Sequence, residues 1–356
     1  MLPTLIDQLR AGVALERAQV AAAVRDLVDE RIPPEVKADL LAALASKGET
    51  TAEIAAFALE LRELSLIPSI DGGLRNRGIL DVCGTGGDRL NTFNISTTVA
   101  IVAASAGIAV AKHGNRAVTS QAGSADVLEA LGVRIDLEPD EAARWLAERN
   151  FAFFFAQRFH PAFKNIGPAR RLCAERGQRT IFNFLGPLLN PARPTAQLIG
   201  VPRPQLCEPI GRVLQTLGVR RGMIVSGRVG PNTHPHNPPG EIAYLDELSI
   251  LGDNTVAEFY QECGFSTSVL ATEQFPLQPA SLQDLAGGDR QANAAIVRRI
   301  LSGDDRGPRR DAILLNAAAA LFVGGKARSL TEGWDVGAEL IDSGQAMSKL
   351  SELARG

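Results

Sequence analysis

The sequence predicts an α/β protein in which a small all-helical N-terminal domain is joined to a larger α/β domain with a mostly parallel central sheet. Three observations predict this class. Apolar residues recur at helical spacing from Leu2 to about Leu66. A segment rich in Pro, Asp and Gly follows at residues 68–73 and is typical of a domain boundary. Beyond it, short apolar strands alternate with helical segments, as they do in parallel sheets.

The helical domain is expected to comprise residues 1–73. Its first segment places apolar residues four apart, its second covers residues 20–28, and Pro33 with Pro34 opens a third. Pro168 and Pro187 bracket an irregular helical stretch, so we expect a segment at about 165–190 to pack back on this domain. The α/β domain then takes residues 74–164 and 191–356.

The α/β domain is predicted from apolar runs of strand length that are followed by longer helical patterns. The predicted strands are Ile79–Val82, Ile108–Lys112, Phe151–Phe155 and Met223–Ser226. The predicted helices are Thr97–Ala106, Ala125–Leu131, Ala292–Leu301, Asp311–Phe322 and Leu330–Ser343. Gly227–Gly240 contains four prolines and predicts a long exposed loop.

Composition narrows the class of protein. The 356 residues carry a net charge of -3, and 45% are hydrophobic and 22% charged, which excludes disordered and fibrous chains. The longest apolar runs, such as Val99–Val110, are shorter than the roughly 20 residues of a membrane span. Met1–Arg10 lacks an export signal, and four widely spaced cysteines indicate a reduced, cytoplasmic protein. The charge and the 5% aromatic content predict no nucleic-acid partner.

A glycine-rich loop follows the first predicted strand. Asp81–Asp88 reads Asp-Val-Cys-Gly-Thr-Gly-Gly-Asp, and Asn94–Thr97 opens the next helix. Glycines let backbone amides approach an anion closely, and Ser96 or Thr97 is expected to cap a helix whose positive end favours phosphate. The spacing differs from the common nucleotide-binding motifs, and such a turn is also found as a plain connector.

Two further segments carry groups suited to phosphate chemistry. Lys112–Arg116 ends the second predicted strand and Gly123–Asp126 opens a helix, which would bring cations and hydroxyls to the same edge of the sheet. His113 by itself favours a hydrogen-bonded structural role over proton transfer. Asp246 and Glu247 follow the proline-rich loop and could hold Mg²⁺ through oxygen ligands, although adjacent acids are common on surfaces.

Taken together and in chain order, these segments resemble the anthranilate phosphoribosyltransferase family over almost the whole chain. The matching segments are Gly84–Asp88, Asn94–Thr97, Lys112–Arg116, Gly123–Asp126, His160–Pro161, Arg179–Asn183, Gly186–Pro191 and Asp246–Glu247.

The resemblance implies a reaction and an architecture. The reaction is transfer of the 5-phosphoribosyl group from phosphoribosyl pyrophosphate to the amino group of anthranilate, the second step of tryptophan biosynthesis from chorismate. The active site would lie in the cleft between the two domains, with two Mg²⁺ ions per site and a homodimer formed through the helical domain. No general acid or base is assigned, because the weakly basic amine needs orientation more than activation.

The resemblance also assigns residues to the two substrates and the metal. Asn115, Arg170 and Gly84 would contact anthranilate, while Ser96, Asp246 and Glu247 would hold Mg²⁺. The residues implied for phosphoribosyl pyrophosphate are Gly84, Gly87, Asp88, Thr92, Asn94, Ile95, Ser96, Thr97, Lys112, His113, Gly114, Asn115, Arg116, Ser120 and Ser124.

The chain departs from the family pattern at Gln157, where proline is usual, and in a lengthened stretch before Arg179 and a long loop at 227–243. Gln157 motivates an alternative, a related phosphoribosyltransferase or nucleoside phosphorylase with another acceptor. A non-catalytic nucleic-acid-binding relative is a third hypothesis, but such a protein should have lost phosphate or metal ligands and gained a basic face.

Overall fold

The structure is a computed structural model that describes residues 1–117, 121–231, 242–260 and 263–356. The helices in these ranges are α1 (Leu2–Arg10), α2 (Arg17–Val28), α3 (Pro34–Lys47), α4 (Thr51–Glu63), α5 (Gly72–Arg77), α6 (Ile95–Ser105), α7 (Ser124–Ala130), α8 (Pro139–Arg149), α9 (Ala156–Phe159), α10 (Gly167–Glu175), α11 (Phe182–Leu185), α12 (Cys207–Thr216), α13 (Arg290–Leu301), α14 (Pro308–Val323), α15 (Leu330–Asp342) and α16 (Gln345–Ala354). The strands are β1 (Ile79–Gly84), β2 (Ala109–Gly114), β3 (Phe151–Phe155), β4 (Ala196–Gly200), β5 (Arg221–Pro231), β6 (Ile242–Leu245), β7 (Asn254–Tyr260) and β8 (Cys263–Leu270).

All eight strands belong to one sheet, in the order β3-β2-β1-β4-β5-β7-β8, with β6 paired to the far end of β5. The first five strands are parallel, which confirms the predicted fold class. The parallel strand β4 was not predicted. The antiparallel strands β6, β7 and β8 were not predicted either. Strand β7 alternates buried and half-buried residues and β8 is largely exposed, so both give a weaker signal than the continuous apolar runs of β1, β2 and β3.

The predicted loop at Gly227–Gly240 is wrong at its start. Residues Gly227 to Pro231 continue β5 and pair with β6, and Gly227 also pairs with Asn254 of β7. The rest of that predicted loop, residues 232–240, lies outside the described residues.

Side chains of each strand alternate between the two faces of the sheet, and each face has its own core. Leu80, Val82 and Val110 face a core shared with the helices α6, α13, α14, α15 and α16. Ile79 and Ala111 face the opposite side, where α8 covers the sheet. Adjacent residues at the end of one strand can therefore serve two different sites.

The segment around α10 packs against the N-terminal helices. Ala169 and Cys173 share a core with α1 to α4. The buried ammonium of Lys37 donates to the carbonyl of Asn165 at 3.0 Å, and the amide of Asn165 donates to the carbonyl of Val28 at 2.8 Å. Arg62 donates to the carbonyl of Leu188 at 2.5 Å. These contacts hold residues 165–190 on the helical side of the cleft.

Among the described residues, no helix combines the length and the apolar character needed to cross a membrane. Cys83, Cys173 and Cys207 are free thiols in buried positions.

Candidate active site

The glycine-rich loop begins at the carboxyl end of β1 and ends at α6. Gly86 and Gly87 have φ of 76° and 90°, and Arg89 and Asn91 also lie in the left-handed region, at 61° and 51°. Glycine adopts such angles freely, whereas other residues are strained in them unless their surroundings hold them. The loop is therefore tightly curved, and its Thr85 and Gly86 N–H groups already donate to the Gly200 carbonyl and to Asp246.

The carboxylates enter the site where two strands end. Gly84 of β1 and Gly200 of β4 are directly paired, and Asp246 lies across both. A Cβ atom on Gly84 would come within 2.1 Å of Asp246 Oδ2, and one on Gly200 within 1.6 Å of the Asp246 carbonyl oxygen. Only glycine leaves room for this approach. Sequence reasoning missed Gly200, although it ends the buried strand β4 in the same way that Gly84 ends β1.

Glu247 caps the helix that follows the glycine-rich loop. The backbone N–H of Ser96 donates to Glu247 Oε1 at 3.1 Å. The prediction that Ser96 or Thr97 caps this helix is wrong, because the N-cap residue is Asn94, without a capping side-chain bond, and Thr97 is buried in the first turn. A carboxylate from 151 residues away takes the place of the local cap.

Asp246, Glu247 and Asp88 form a half-buried acidic cluster. The Gly86 N–H donates to Asp246 Oδ2 at 2.6 Å, and the carboxyl groups of Asp88 and Asp246 are in hydrogen-bond contact. Burial, together with the charges of Asp88 and Glu247, raises the pKa of Asp246 well above its usual range. Burial raises the pKa of Glu247 to about 7, although Lys112 opposes the shift.

The cluster fits a magnesium ion. Three neighbouring carboxylates repel one another, and a divalent cation relieves that repulsion. Among the described residues, no group of three or more His, Cys, Asp or Glu side chains is placed to hold a metal ion by itself. Mg²⁺ commonly binds through one or two carboxylates and completes its shell with water and substrate phosphates. The predicted ligands Asp246, Glu247 and Ser96 are brought together here.

Lys112 is the buried cation of the site. It is 1% exposed, and its ammonium donates to the Val82 carbonyl at 2.7 Å and to Ser96 Oγ at 3.3 Å. Burial lowers its pKa, while the negative charges of Asp81 and Glu247 oppose that shift. Lys112 thus joins β1, β2 and the first turn of α6 beside the carboxylates.

His113 points the other way. It follows Lys112 in β2, so its imidazole lies on the opposite face, where Nδ1 contacts the Gly186 carbonyl at 3.1 Å. Its ring is 5.2 Å from that of His160, and burial, followed by the effect of His160, lowers its pKa to about 3. The side chain is therefore neutral at physiological pH and lies away from Lys112. The strand period of two was the signal that could have placed it.

Aromatic side chains and Arg170 continue this second face. His160 stacks on Phe163 at 4.9 Å, and Phe163 meets Phe182 edge-on at 5.8 Å. The Arg170 guanidinium lies 5.0 Å from the centre of the Phe182 ring. Within the described parts of the chain, no carboxylate pairs with Arg170, and burial lowers its pKa. Its charge is available to a ligand.

Acidic side chains hold the second predicted phosphate loop, between β2 and α7, through hydrogen bonds and ion pairs. Asp126 Oδ2 accepts from the N–H groups of Ala117 and Gly123, both at 2.9 Å. Arg116 pairs with Asp126 at 2.9 Å and with Glu129 at 3.1 Å. Its guanidinium is therefore neutralised beside the loop, and this geometry gives no support to its predicted role at phosphate. Ser124 Oγ donates to the Asn115 carbonyl at 3.4 Å.

The remaining predicted donor residues lie around the same loops. Gly114 ends β2, where a Cβ atom would meet Ser124 Oγ at 2.2 Å, and Ile95 is buried in α6. Ser120 is outside the described residues. Gln157 is exposed in the short helix α9, directly after β3.

A clamp on the glycine-rich loop was missed by sequence reasoning. Asn293 is 2% exposed, donates to Asn94 Oδ1 at 2.9 Å and accepts from the Gly288 N–H at 2.8 Å. Thr92 forms a β-bridge with Ala286 beside it. These contacts come from residues almost 200 positions further along the chain, so no local motif reveals them.

Asp81 is a second buried group outside the predicted set of site residues. It is fully buried and accepts from the Asn190 amide at 2.9 Å and from the His113 N–H at 3.3 Å. Burial raises its pKa to about 6, and Lys112 opposes the shift. Asn190 also donates to the Ala111 carbonyl at 2.7 Å, so the pair ties β1 and β2 to the segment at 165–190.

Comparisons with known proteins agree with this architecture. The glycosyl transferase family a/b domain matches residues 76–347, and the helical bundle domain of the same family matches residues 3–65. The anthranilate phosphoribosyltransferase of Roseiflexus castenholzii is 45% identical over 348 residues, which is 98% of this chain and 96% of that protein. The chain belongs to the anthranilate phosphoribosyltransferase family. The enzyme of that name from Chloroflexus aggregans is 43% identical over 95% of this chain and 93% of its own length.

Solved structures of this family share the fold. Anthranilate phosphoribosyltransferase from Thermus thermophilus superposes with a TM-score of 0.85 at 39% identity, covering 99% of this chain and 98% of that one. The Saccharomyces cerevisiae enzyme in complex with PRPP (phosphoribosyl pyrophosphate) and Mg superposes with a TM-score of 0.84 at 26% identity, covering 99% of this chain and 97% of that one. The same yeast enzyme has also been solved with 4-fluoroanthranilate.

Proposed function

We propose that the protein transfers the 5-phosphoribosyl group from phosphoribosyl pyrophosphate to the amino group of anthranilate and releases pyrophosphate. One observation carries this proposal. Lys112 and His113 are neighbours on β2 that point to opposite faces, so an ionic site and an aromatic site meet at the same strand ends. Such a site suits a charged donor and an aromatic acceptor.

The donor side consists of the glycine-rich loop, Lys112 and the acidic cluster. Backbone N–H groups of the loop and the positive end of α6 are suited to the phosphates of the donor. Lys112 is held rigidly by Val82 and Ser96, so its charge needs no reorganisation when the leaving pyrophosphate gains negative charge. Of the residues predicted to bind the donor, those of the glycine-rich loop and Lys112 fit that role best.

Asp246, Glu247 and Ser96 would hold Mg²⁺. The bound ion would stabilise the charge that develops on the pyrophosphate oxygens. The carboxylates are preorganised for it by the Gly86 and Ser96 N–H groups and by the absence of side chains at Gly84 and Gly200. That two ions bind per site is part of this proposal.

The acceptor side consists of Arg170 and the aromatic cluster of His160, Phe163 and Phe182. A guanidinium can bind the carboxylate of anthranilate in a bidentate manner and so fix the direction of its amine. Neutral His113 places no competing positive charge beside the amine. Positioning of the amine against the anomeric carbon then provides most of the acceptor's contribution to the rate.

The direct experiment follows the loss of anthranilate fluorescence with purified protein, phosphoribosyl pyrophosphate and Mg²⁺. Loss that requires every component is the expected result. No loss of anthranilate, with donor binding still measurable by calorimetry, would refute the acceptor assignment.

A matched pair of variants tests the acceptor side. Arg170→Ala should raise the KM for anthranilate at least about tenfold, because a charge-assisted pair contributes about 1.5 to 3 kcal/mol. The KM for the donor should change little. Arg171→Ala removes the neighbouring exposed arginine of α10 and is the control. Equal effects of the two variants on anthranilate would contradict the role of Arg170.

Three further features of the assembly are part of the proposal. The domain division into residues 1–73 with about 165–190, and 74–164 with 191–356, is supported by the packing of α10 on α3. A homodimer through the helical domain is testable by light scattering. A cytoplasmic location is supported by the free, buried thiols of Cys83, Cys173 and Cys207.

A further inference from the structure

A cavity of about 480 Å³ opens beside the acidic cluster. It lies between the glycine-rich loop, the residues that follow β4 and the strand β6. Three of its lining residues are arginines that come from three separate segments of the chain: Arg89, Arg179 and Arg203. Asp88, whose carboxyl group contacts Asp246, also lines it, so the cavity adjoins the proposed metal site.

Within the described residues, none of the three arginines forms an ion pair, whereas Arg116 in the neighbouring loop has two acidic partners. Of the acids nearby, Asp88 accepts from the Leu90 N–H at 3.1 Å and contacts Asp246. Glu49 is close enough to Arg203 for the arginine's charge to oppose the rise that burial causes in the Glu49 pKa. Burial, and then the charges of Arg203 and Arg89, lower the pKa of Arg179. The like charges therefore lie close enough to repel one another.

Such a cluster favours a ligand with several negative charges. A guanidinium presents paired N–H donors that match phosphate oxygens, and an anion between three of them relieves their repulsion. Two of the predicted donor residues, Gly87 and Asp88, line this cavity. Lys112, Ser96 and Asn115 do not. A ligand held here would therefore touch the donor site only at its glycine-rich loop.

We propose that Arg89, Arg179 and Arg203 form a second anion site, which receives inorganic pyrophosphate as it leaves the acidic cluster. This inference rests on the proposed function, since pyrophosphate is the product of that reaction. The chemistry recognised is a diphosphate group, which the incoming donor also carries. The position of the cavity beyond Asp88, away from Lys112, favours the free product over the bound donor.

Calorimetric titration of the protein with inorganic pyrophosphate and Mg²⁺ tests the site without any turnover. Arg203→Gln and Arg179→Gln should each raise the Kd for pyrophosphate about three- to tenfold, the loss expected for one partly exposed charge-assisted contact. Arg203→Lys, which keeps the charge but not the planar pair of donors, should lie between Gln and wild type. Thermal unfolding of each variant checks its folding.

Arg77→Gln is the matched control. Arg77 is also an exposed arginine without an ion pair among the described residues, but it lines a cavity at the opposite, amino ends of the strands. The control should leave the pyrophosphate Kd within about twofold of wild type. Equal weakening by Arg77→Gln would reveal a general charge effect and overturn the site, as would unchanged binding in both cavity variants.

Measuring the donor KM of the same variants distinguishes the two sources of the diphosphate group, the free product and the bound donor. The rise in the pyrophosphate Kd should exceed the rise in the donor KM by more than about threefold. Equal rises would mean that the arginines hold the diphosphate of the bound donor, and would overturn the product site. If wild-type protein consumes no anthranilate but still shows arginine-dependent pyrophosphate binding, the proposed function fails while the anion site stands.

Discussion

Gly200→Ala tests the close approach on which the metal site depends. The added Cβ atom would lie 1.6 Å from the carbonyl oxygen and 2.2 Å from the carbonyl carbon of Asp246. Ordinary contacts between such atoms are about 3.5 Å, so Asp246 must move by roughly 2 Å. The obstacle is backbone, which cannot rotate aside as a flexible side chain can.

The displacement should affect activity more than folding. Overpacking of this kind destabilises a protein by about 1 to 3 kcal/mol, whereas a misplacement of about 1 Å in a catalytic group can lower the rate 10²-fold. We therefore expect kcat to fall at least about 10²-fold and the Mg²⁺ requirement to rise, with a folded protein by circular dichroism.

Gly264→Ala is the matched control for this experiment. Gly264 lies in β8 of the same sheet, and a Cβ atom there would meet nothing within 4 Å. Its activity and Mg²⁺ titration should equal those of wild type. Wild-type kinetics and Mg²⁺ dependence in Gly200→Ala would refute the argument that the paired strand ends must lack side chains for Asp246 to reach the site.

Three more predictions concern buried polar groups. Asn293→Asp keeps an acceptor oxygen, but an ionised carboxylate has no N–H to donate to Asn94. Loss of this bond should raise the donor KM about fivefold in steady-state assays, and an unchanged KM would contradict the clamp. Because burial raises the pKa of Asp81 to about 6, the folded wild type binds an extra proton, and its free energy of unfolding falls as pH rises from about 4 to 6. Asp81→Asn should remove up to about 3 kcal/mol of that pH dependence in urea unfolding. A constant difference between the unfolding free energies of the two proteins from about pH 4 to 7 would argue against it. Lys112→Gln should lower the kcat/KM for the donor at least about 10²-fold and Arg116→Gln less than about fivefold, because Arg116 is already neutralised by its two acidic partners. Equal effects of the two variants in the same assay would reject this distinction.

Much of the architecture follows from local pattern. Continuous apolar runs such as Phe151–Phe155 identify four of the five parallel strands, because strands covered on both faces need apolar residues throughout. Strand β4 was missed, since Gln197 interrupts its short apolar run. Helices α13, α14 and α15 were predicted to within a few residues from their helical patterns, whereas α16 was not predicted. Strands β7 and β8 escaped prediction because β7 alternates buried and half-buried residues and β8 is largely exposed, so neither contains a continuous apolar run.

The candidate site was predictable only in part. The glycine-rich loop, Lys112 and the two adjacent acids are visible as short motifs, because backbone access to an anion and oxygen ligands for a metal require particular residue types. The same motifs could not show that Arg116 is neutralised by Asp126 and Glu129. A sequence gives the identity of a charged group, whereas its partners depend on distance in space.

The sequence by itself determined the family, the class of fold and the residue types of the proposed donor site. Tertiary structure decided which face each of those residues serves, which acid caps α6, and that Asn293 and Gly200 support the site from distant positions. It also brought three arginines from separate segments around one cavity. The physical reason is that electrostatic and hydrogen-bond contacts act over a few ångströms in space, while the residues that make them are separated by up to about two hundred positions in the chain.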